Sequence, residues 1–486
     1  MSKSNRSCSI SPAKDAISQK IREALASVSG ICSITFVGSL VDREDLSGIG
    51  DIDTVILFDS LTPERFRDAA EKVGALTGSD LGFDDRRVFV NTKLGPLKYN
   101  TTEQVVVHLM MYDNPSHREH VLRSPFTCLD WERSQLVFGA RLEDVYPAGR
   151  LSIRDFIESR RGLLAYFEDL ESGVVRCRRF EESAGRMVEV PESVVLTRRS
   201  RGEYAYHIIR NLVVNWLKLR TADNCVPGEG DLLEAWKEWL PELADFIPFY
   251  SRVRVQKITG GDFDDEILER TRAFLDAFWL MITRSYERAL KVRFVRHGRT
   301  SLTDGTFLGR RDPGVTESTR PFPEEWDFVD SSPLRRARET AESVTEGRPI
   351  RLDDRLMEID YGLAEGLTAE QLRKRFPEIG EAWDRGEDRS FPGGECSEDV
   401  ARRLRSYLRS ISTATGRGLV VTHNVVLRSL VADLLGLDRA RAHRIPIGHL
   451  EPLDVCHIDG QWHADWGSDL KATFVDAYVG CGRDGQ

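Results

Sequence analysis

The feature that most constrains the fold is a short strand-like run at residues 292–295, VRFV, followed at once by Arg296, His297 and Gly298. Such a compact run is typical of a strand buried in a parallel sheet. Open α/β sheets place their sites at the carboxyl ends of such strands. The sequence therefore predicts an α/β domain with Arg296 and His297 at its site.

These two residues have the chemistry of a phosphoryl-transfer site. A neutral imidazole can attack phosphorus, and guanidinium groups supply planar, paired donors that match phosphate oxygens. The α/β alternation continues toward the C-terminus, where residues 419–422 form another predicted buried strand. We therefore place a domain boundary near Lys291.

Four further motifs follow the Arg-His-Gly triplet in order. They read SSPLRRARETAE at 331–342, LMEIDYGLAEGLT at 356–368, FPGGECSEDVARRL at 391–404 and VVTHNVVLRSL at 420–430. Together they make residues 291–470 resemble the histidine phosphatase superfamily, the phosphoglycerate-mutase-like enzymes. The resemblance implies a three-layer α/β/α domain that hydrolyses a phosphomonoester through a phosphohistidine, without a cofactor.

Five residues match catalytic positions of that family. The resemblance implies that His297 is the nucleophile and that Arg296 and Arg336 hold the phosphate. It also implies that His423 is the second pocket histidine and that Glu358 donates a proton to the leaving oxygen.

Flanking residues show where this chain departs from the family. Arg299 and Thr303 are predicted to bind substrate, and Thr303 stands where the family often carries Asn. Asn424 replaces the first glycine of the usual His-Gly-Gly. The short interval between Glu358 and His423 favours a phosphatase over a mutase.

A second group of candidate residues lies near the N-terminus. Gly38 and Ser39 follow one predicted strand, and Asp51 and Asp53 stand at the edge of the next. Carboxylates at positions i and i+2 of a strand project from one face, about 7 Å apart, and can share a hard cation such as Mg²⁺. Gly38 allows close backbone approach, and Ser39 can contact a triphosphate.

This pattern, Gly-Ser followed by Asp-x-Asp, resembles the nucleotidyltransferase fold of the polymerase-beta superfamily. The resemblance implies Mg²⁺-dependent transfer from an NTP to a small-molecule acceptor, with the Gly-Ser pair binding substrate and the two aspartates binding metal. A third carboxylate is expected on a later strand, where this chain has His108. Imidazole is a poor Mg²⁺ ligand, which leaves three alternatives open. The second metal binds weakly, Glu103 or Asp113 supplies the missing ligand, or the domain is a degenerate, nucleotide-binding relic.

The chain is thus predicted to be an α/β multidomain protein. Residues 1–150 form the nucleotidyltransferase-like α/β domain, and residues 291–486 form the histidine phosphatase domain. Segments with a 3.6-residue period predict a helical domain at 151–290 that completes the nucleotidyltransferase cleft.

Composition limits the partners. The 68 basic and 78 acidic side chains give a net charge of −10, which argues against attraction to nucleic acid or an anionic membrane. No apolar run approaches the roughly 20 residues needed to cross a bilayer. The polar N-terminus does not resemble a secretory signal, so we expect a cytoplasmic protein with eight reduced cysteines. The oligomeric state stays open.

Three functions remain open at this point. The chain is a bifunctional nucleotidyltransferase and phosphatase, or a phosphatase whose degenerate N-terminal domain binds nucleotide and regulates it. Alternatively, the N-terminal domain is an interaction module related to toxin-antitoxin nucleotidyltransferases. His108 favours the second over the first. No motif identifies the acceptor, the nucleotide base or the phosphoester.

Overall fold

The computed structural model describes most of the chain. It covers residues 12–42, 46, 51–95, 104–131, 134–221, 229–259, 263–264, 266–302, 305–317 and 319–480. Thr303 and Glu103 lie outside the described residues.

The chain divides into two compact units. They are Met1–Ala148 with Ser159–Ala277, and Gly149–Glu158 with Phe278–Gln486. The three-domain division stays a prediction.

A five-stranded mixed sheet forms the centre of the first unit. Its strands are β1 Ile31–Val37, β2 Asp51–Phe58, β3 Arg87–Asn91, β4 Gln104–Asp113 and β5 Gln135–Gly139. Their order is β3-β4-β2-β1-β5, in which β2, β3 and β4 are parallel and β1 is antiparallel to both neighbours. β2 and β4 are almost entirely buried, which explains their continuous apolar sequences.

An antiparallel hairpin, β6 Val174–Ser183 and β7 Arg186–Val195, lies between the helices of the middle region. It corrects the prediction that residues 151–290 are helical. Gly185, with φ of 75°, forms its turn together with Ala184. Exposed and half-buried residues alternate along β7, which is the two-residue period of a strand. This period was missed in the sequence because the longer segments on either side have a 3.6-residue period.

Helices account for most of the chain between the sheets. Up to residue 288 they are α1 Pro12–Leu25, α2 Ser39–Asp42, α3 Pro63–Gly74, α4 Asn114–Arg123, α5 Pro125–Trp131, α6 Leu142–Val145, α7 Ile153–Ser172, α8 Arg198–Thr221, α9 Glu229–Trp239, α10 Ile247–Thr259 and α11 Glu266–Arg288. The helix α3 begins directly after Thr62. The Thr62 hydroxyl caps this helix by accepting from the Arg65 N–H, and Pro63 occupies its first turn.

A six-stranded sheet forms the second unit. Its strands are β8 Leu290–Arg296, β9 Phe328–Ser331, β10 Arg351–Leu352, β11 Arg417–Thr422, β12 Leu453–Ile458 and β13 Gln461–Ala464. The order is β10-β9-β11-β8-β12-β13, with the first four strands parallel and the last two antiparallel. The predicted strands at 292–295 and 419–422 are confirmed as parts of β8 and β11.

Helices follow the parallel strands. They are α12 Arg335–Val344, α13 Ala369–Arg375, α14 Pro377–Asp384, α15 Ser397–Ile411, α16 Asn424–Leu435 and α17 Ser468–Val479. Val295 and Leu419 of the sheet pack in one core cluster with Ala337 of α12. Within the described ranges, no helix of either unit is long and apolar enough to cross a membrane.

Candidate active site

Two histidines lie side by side at the carboxyl ends of β8 and β11. His297 follows β8, and its main-chain N–H donates to the Thr422 carbonyl at 3.0 Å. His423 follows β11 and stands at the N-terminus of α16. Because the parallel register pairs Thr422 with Arg296, the two imidazole centroids are only 5.0 Å apart.

The hydrogen bonds of His297 fix its tautomer. Nδ1 lies 2.7 Å from the Gly298 carbonyl oxygen, which only accepts, so Nδ1 carries the proton. Nε2 lies 3.1 Å from Nε of Arg336, which only donates, so Nε2 presents its lone pair. Burial, followed by the charge of Arg336, lowers the pKa of His297 well below its usual value. The imidazole is therefore neutral at neutral pH, and its unprotonated Nε2 faces the Arg336 guanidinium.

Arg336 is completely buried and anchored by protein groups. Nη1 donates to the Arg311 carbonyl at 2.6 Å, and Nη2 donates to the Gly309 carbonyl at 2.8 Å. With the bond to His297, these contacts use three of the five guanidinium N–H groups. Two N–H groups remain beside the nucleophile to meet an anion.

Arg296 supplies a second guanidinium at the same end of the sheet. Nη1 donates to the Ile447 carbonyl at 2.9 Å, whereas the buried Nε has no partner among the described residues. Burial lowers the pKa of Arg296 from its usual value. A buried N–H without an acceptor is unfavourable, and a phosphate oxygen is the acceptor that a guanidinium fits best.

Glu358 is held at the start of α16. Its Oε1 accepts from the main-chain N–H of Ile359 at 2.9 Å and of Val425 at 3.2 Å. Glu358 is 6% exposed, and its charge raises the pKa of Arg296, against the larger effect of burial. The predicted general acid thus shares the pocket with the predicted phosphate ligands.

His423 is fully buried and bonded to a serine that was not predicted as a site residue. Its Nε2 lies 2.8 Å from Oγ of Ser332. Burial, then the charges of Arg336 and His297, lower the pKa of His423 well below its usual value. Both histidines are therefore neutral.

Other residues of the site were missed from the sequence. Arg428 donates from Nε to the Ile445 carbonyl at 2.8 Å. Burial lowers the pKa of Arg428, and the charge of Glu358 opposes this effect. Nδ1 of His449 lies 2.7 Å from the His297 carbonyl oxygen. Ser332 and Arg428 both occur in the quoted motifs, which could have identified them, whereas no motif includes His449.

The two predicted substrate-binding residues of the loop after β8 differ in outcome. Arg299 is exposed, and its carbonyl accepts from the Thr316 N–H at 2.9 Å. Burial lowers the pKa of His449, and the charge of Arg299 adds to this effect. Thr303 lies outside the described residues, so both assignments stay predictions.

The structure brings some of the candidate residues near the N-terminus close together. Gly38 has φ of 70°, and a Cβ atom there would come within 2.5 Å of Asp53 Oδ2, so only glycine permits this approach. Ser39 begins α2, and Asp51 and Asp53 lie on one face of β2. The register pairs Asp53 with His108 of β4, the position predicted for the third carboxylate.

His108 has two hydrogen-bond acceptors as neighbours. Nε2 lies 2.7 Å from the Lys93 carbonyl oxygen, and Nδ1 lies 3.0 Å from Asp53 Oδ1. Each nitrogen must carry a proton to donate, so the ring is an imidazolium. Burial opposes this charge, but the hydrogen bond and charge of Asp53 outweigh it and raise the pKa of His108.

The donor set fits one Mg²⁺ ion rather than two. Asp51 and Asp53 suit a metal that arrives with a nucleotide, because Mg²⁺ is commonly held by one or two carboxylates and substrate phosphates. A cationic imidazole occupies the third position, and no cluster of three metal-ligating side chains occurs within the described ranges. Asp113 instead caps α4 by accepting from the Ser116 N–H at 3.0 Å. Glu103 lies outside the described part of the chain.

Comparisons with known proteins include a family match that spans the second site. Residues 292–466 match the family described as Histidine phosphatase superfamily (branch 1). The chain is 36% identical over 264 residues to Bifunctional protein Rv2228c of Mycobacterium tuberculosis, covering 50% of this chain and 70% of that protein. It is 28% identical over 167 residues to Phosphoserine phosphatase 1 of Hydrogenobacter thermophilus, covering 31% and 79%. It is 34% identical over 181 residues to a 2,3-bisphosphoglycerate-dependent phosphoglycerate mutase of Methylobacterium radiotolerans, covering 33% and 85%.

Proposed function

Because the C-terminal part of this chain belongs to the histidine phosphatase superfamily, we propose that it hydrolyses a phosphomonoester through a phosphohistidine on His297. The observation that carries this proposal is the tautomer of His297, whose unprotonated Nε2 lies beside the Arg336 guanidinium. The short interval between Glu358 and His423 favours hydrolysis over mutase activity.

The proposed reaction has two displacements at phosphorus. Nε2 of His297 attacks phosphorus while the bond to the ester oxygen breaks and Glu358 gives that oxygen a proton. The free N–H groups of Arg296 and Arg336 bind the phosphoryl oxygens as charge moves onto them. Water then attacks the phosphohistidine, Glu358 takes the water proton, and phosphate leaves.

Every group that the protein contributes to this reaction is a side chain, so the proposed hydrolysis requires no metal. We expect the full chain to hydrolyse an aryl phosphate at the same rate with and without EDTA. Loss of activity in EDTA, with recovery on addition of Mg²⁺, would contradict the proposal.

A second proposal concerns the first unit. We infer that it binds a magnesium nucleotide, with Asp51 and Asp53 as metal ligands and Ser39 at the phosphates. The close approach of Gly38 to Asp53 supports this site. The chemistry that Mg²⁺ supplies when bound is polarisation of a phosphoryl group for nucleotidyl transfer to a small-molecule acceptor.

The charge of His108 favours the weaker form of this proposal, in which the first unit binds nucleotide and regulates the phosphatase. Pyrophosphate release across a panel of NTPs and acceptors separates the two forms. Calorimetric binding of Mg·NTP is expected to fall in Asp51→Asn/Asp53→Asn, with aryl phosphatase activity unchanged as the control for folding. Unaltered binding would remove the metal-site assignment. The interaction-module alternative stays a prediction.

A further inference from the structure

A cavity of about 180 Å³ lies at the amino ends of β8 and β11, the opposite ends from His297. Lys291 near the start of β8 and Arg417 at the start of β11 line it. From Lys291 to Arg296 is five residues, or about 16 Å along the strand. The volume exceeds the roughly 30 Å³ of one water molecule several times, so a tetrahedral oxyanion fits.

Two cationic side chains from neighbouring strands line this cavity. Arg417 and Lys291 are direct register partners on parallel strands, so their side chains leave the same face of the sheet. Like charges directly opposite each other destabilise a sheet. Among the described residues neither forms an ion pair, and the Lys291 ammonium lies 4.1 Å from the Tyr286 ring centroid. An anion between the two cations would relieve this repulsion.

The carboxylates of the cavity already have cationic partners. Arg293 donates to Asp454 through Nε at 2.8 Å and Nη2 at 3.0 Å, and to Glu324 through Nη1 at 2.5 Å. Arg154 donates to Asp465 at 2.6 Å. The lining thus carries four cations and three carboxylates, a net charge of +1, and Lys291 and Arg417 are the two cations without a carboxylate partner among the described residues.

Two side chains of the cavity lining each have a buried polar atom without a hydrogen-bond partner among the described residues. One is the indole N–H of Trp326, a side chain that is 7% exposed, and the other is Oε2 of Glu324. The first needs an acceptor and the second needs a donor. A phosphate that keeps one proton offers both, whereas sulfate at neutral pH offers only acceptors.

We propose that this cavity binds a phosphate group that keeps one proton. Lys291 and Arg417 hold the phosphate, and its P–OH group donates a hydrogen bond to Glu324. The ligand is inorganic phosphate or the phosphate of a small phosphomonoester. Inorganic phosphate is the product of the reaction proposed for His297, so the cavity would bind that product apart from the active site.

The test is equilibrium dialysis of labelled inorganic phosphate against the full chain. The wild type is expected to bind two phosphates, one in each site, and Lys291→Gln/Arg417→Gln is expected to bind one. Lys374→Gln, an exposed control in a salt bridge with Glu370, is expected to bind two. Aryl phosphatase activity of all three should agree, which confirms folding and keeps this test independent of the proposed function.

Competition identifies the ligand. Sulfate is expected to compete at least tenfold less well than phosphate for the site that Lys291→Gln/Arg417→Gln removes, and Glu324→Gln should reduce this preference. Phenyl phosphate, tested in His297→Ala so that it is not consumed, distinguishes an ester ligand from inorganic phosphate. Unchanged binding in the double variant, or equal competition by sulfate, would overturn the proposal.

Discussion

His297 in the second unit and His108 in the first are both buried, with 3% and 9% exposure. His297 has one acceptor and one donor as neighbours, so it keeps a single proton on Nδ1, and its unprotonated Nε2 accepts from Arg336. His108 has two acceptors, so it keeps both protons. Burial lowers the pKa of each ring, and the hydrogen-bonding neighbours determine whether the ring is neutral, as in His297, or charged, as in His108.

The difference separates the two candidate sites chemically. The lone pair of His297 makes a nucleophile, whereas the charge of His108 neutralises Asp53. Three carboxylates would attract two divalent cations, but two carboxylates and an imidazolium attract one more weakly. This comparison makes the phosphatase site the stronger of the two assignments.

The largest expected effect comes from removing the nucleophile. His297→Ala should lower the rate of aryl phosphate hydrolysis by at least about a thousandfold, because no other group forms the phosphohistidine. Mg·NTP binding by the first unit should persist. His443→Ala, an exposed histidine of the same unit, is the matched control. Loss of both properties in a folded protein would contradict the independence of the two sites.

Two other buried histidines of the first unit extend the comparison to stability. Burial lowers the pKa of His117 to about 4 and that of His120 to about 3. Unfolding returns both to the ordinary value near 6.5, so the unfolded chain binds more protons below that pH. The stability that these two histidines contribute should be greatest above pH 6.5 and should fall as the pH decreases toward 4, by about 3 kcal/mol for His117 at about 1.36 kcal/mol per pH unit.

This loss of stability is measured by urea unfolding of the full chain between pH 7.5 and pH 4.5, with hydrogen exchange of β4 and α4 as the probe of unfolding. His120→Leu should flatten the pH dependence. An equal slope in the wild type and the variant would show that His120 is not the group that titrates.

Arg336→Lys tests the contact that distinguishes His297 from His108. Lysine keeps the charge but cannot reach Nε2 of His297 and the carbonyls of Gly309 and Arg311 together. We expect kcat/KM for aryl phosphate to fall by about a hundredfold, or about 2.7 kcal/mol of transition-state stabilisation. Arg338→Lys, on an exposed turn of the same helix, should retain wild-type activity, and equal activity of both variants would contradict this role.

The smallest expected effect is at His108. His108→Asp places a carboxylate beside Asp53 and removes a cation, so calorimetric binding of Mg·ATP should tighten by about tenfold. His108→Asn removes the cation without adding a ligand and should give a smaller gain. Weaker binding in His108→Asp would show that Asp53 does not bind the metal.

The sequence predicted the elements whose patterns are local. The buried run before Arg296 located β8, and the motif order brought Glu358 and His423 to the same pocket as His297. The position of His108 beside Asp53 was also predicted, from the order of strands.

Contacts between distant residues could not be predicted in this way. The protonation of His108 depends on the Lys93 carbonyl, and that of His297 depends on Arg336, 39 residues away. His449 is 152 residues from His297 in the chain and reaches its carbonyl only through the sheet. Such partners are set by tertiary packing, and no periodic pattern in the sequence indicates them.

The most direct test of the central claim is rapid-quench trapping of the phosphoenzyme. With a ³²P-labelled aryl phosphate and an alkaline quench, the label should map to the peptide that contains His297. It should be acid-labile, unaffected by EDTA and missing in His297→Ala. Label on another residue, label that persists in His297→Ala, or turnover without labelled protein at any time would contradict the proposed mechanism.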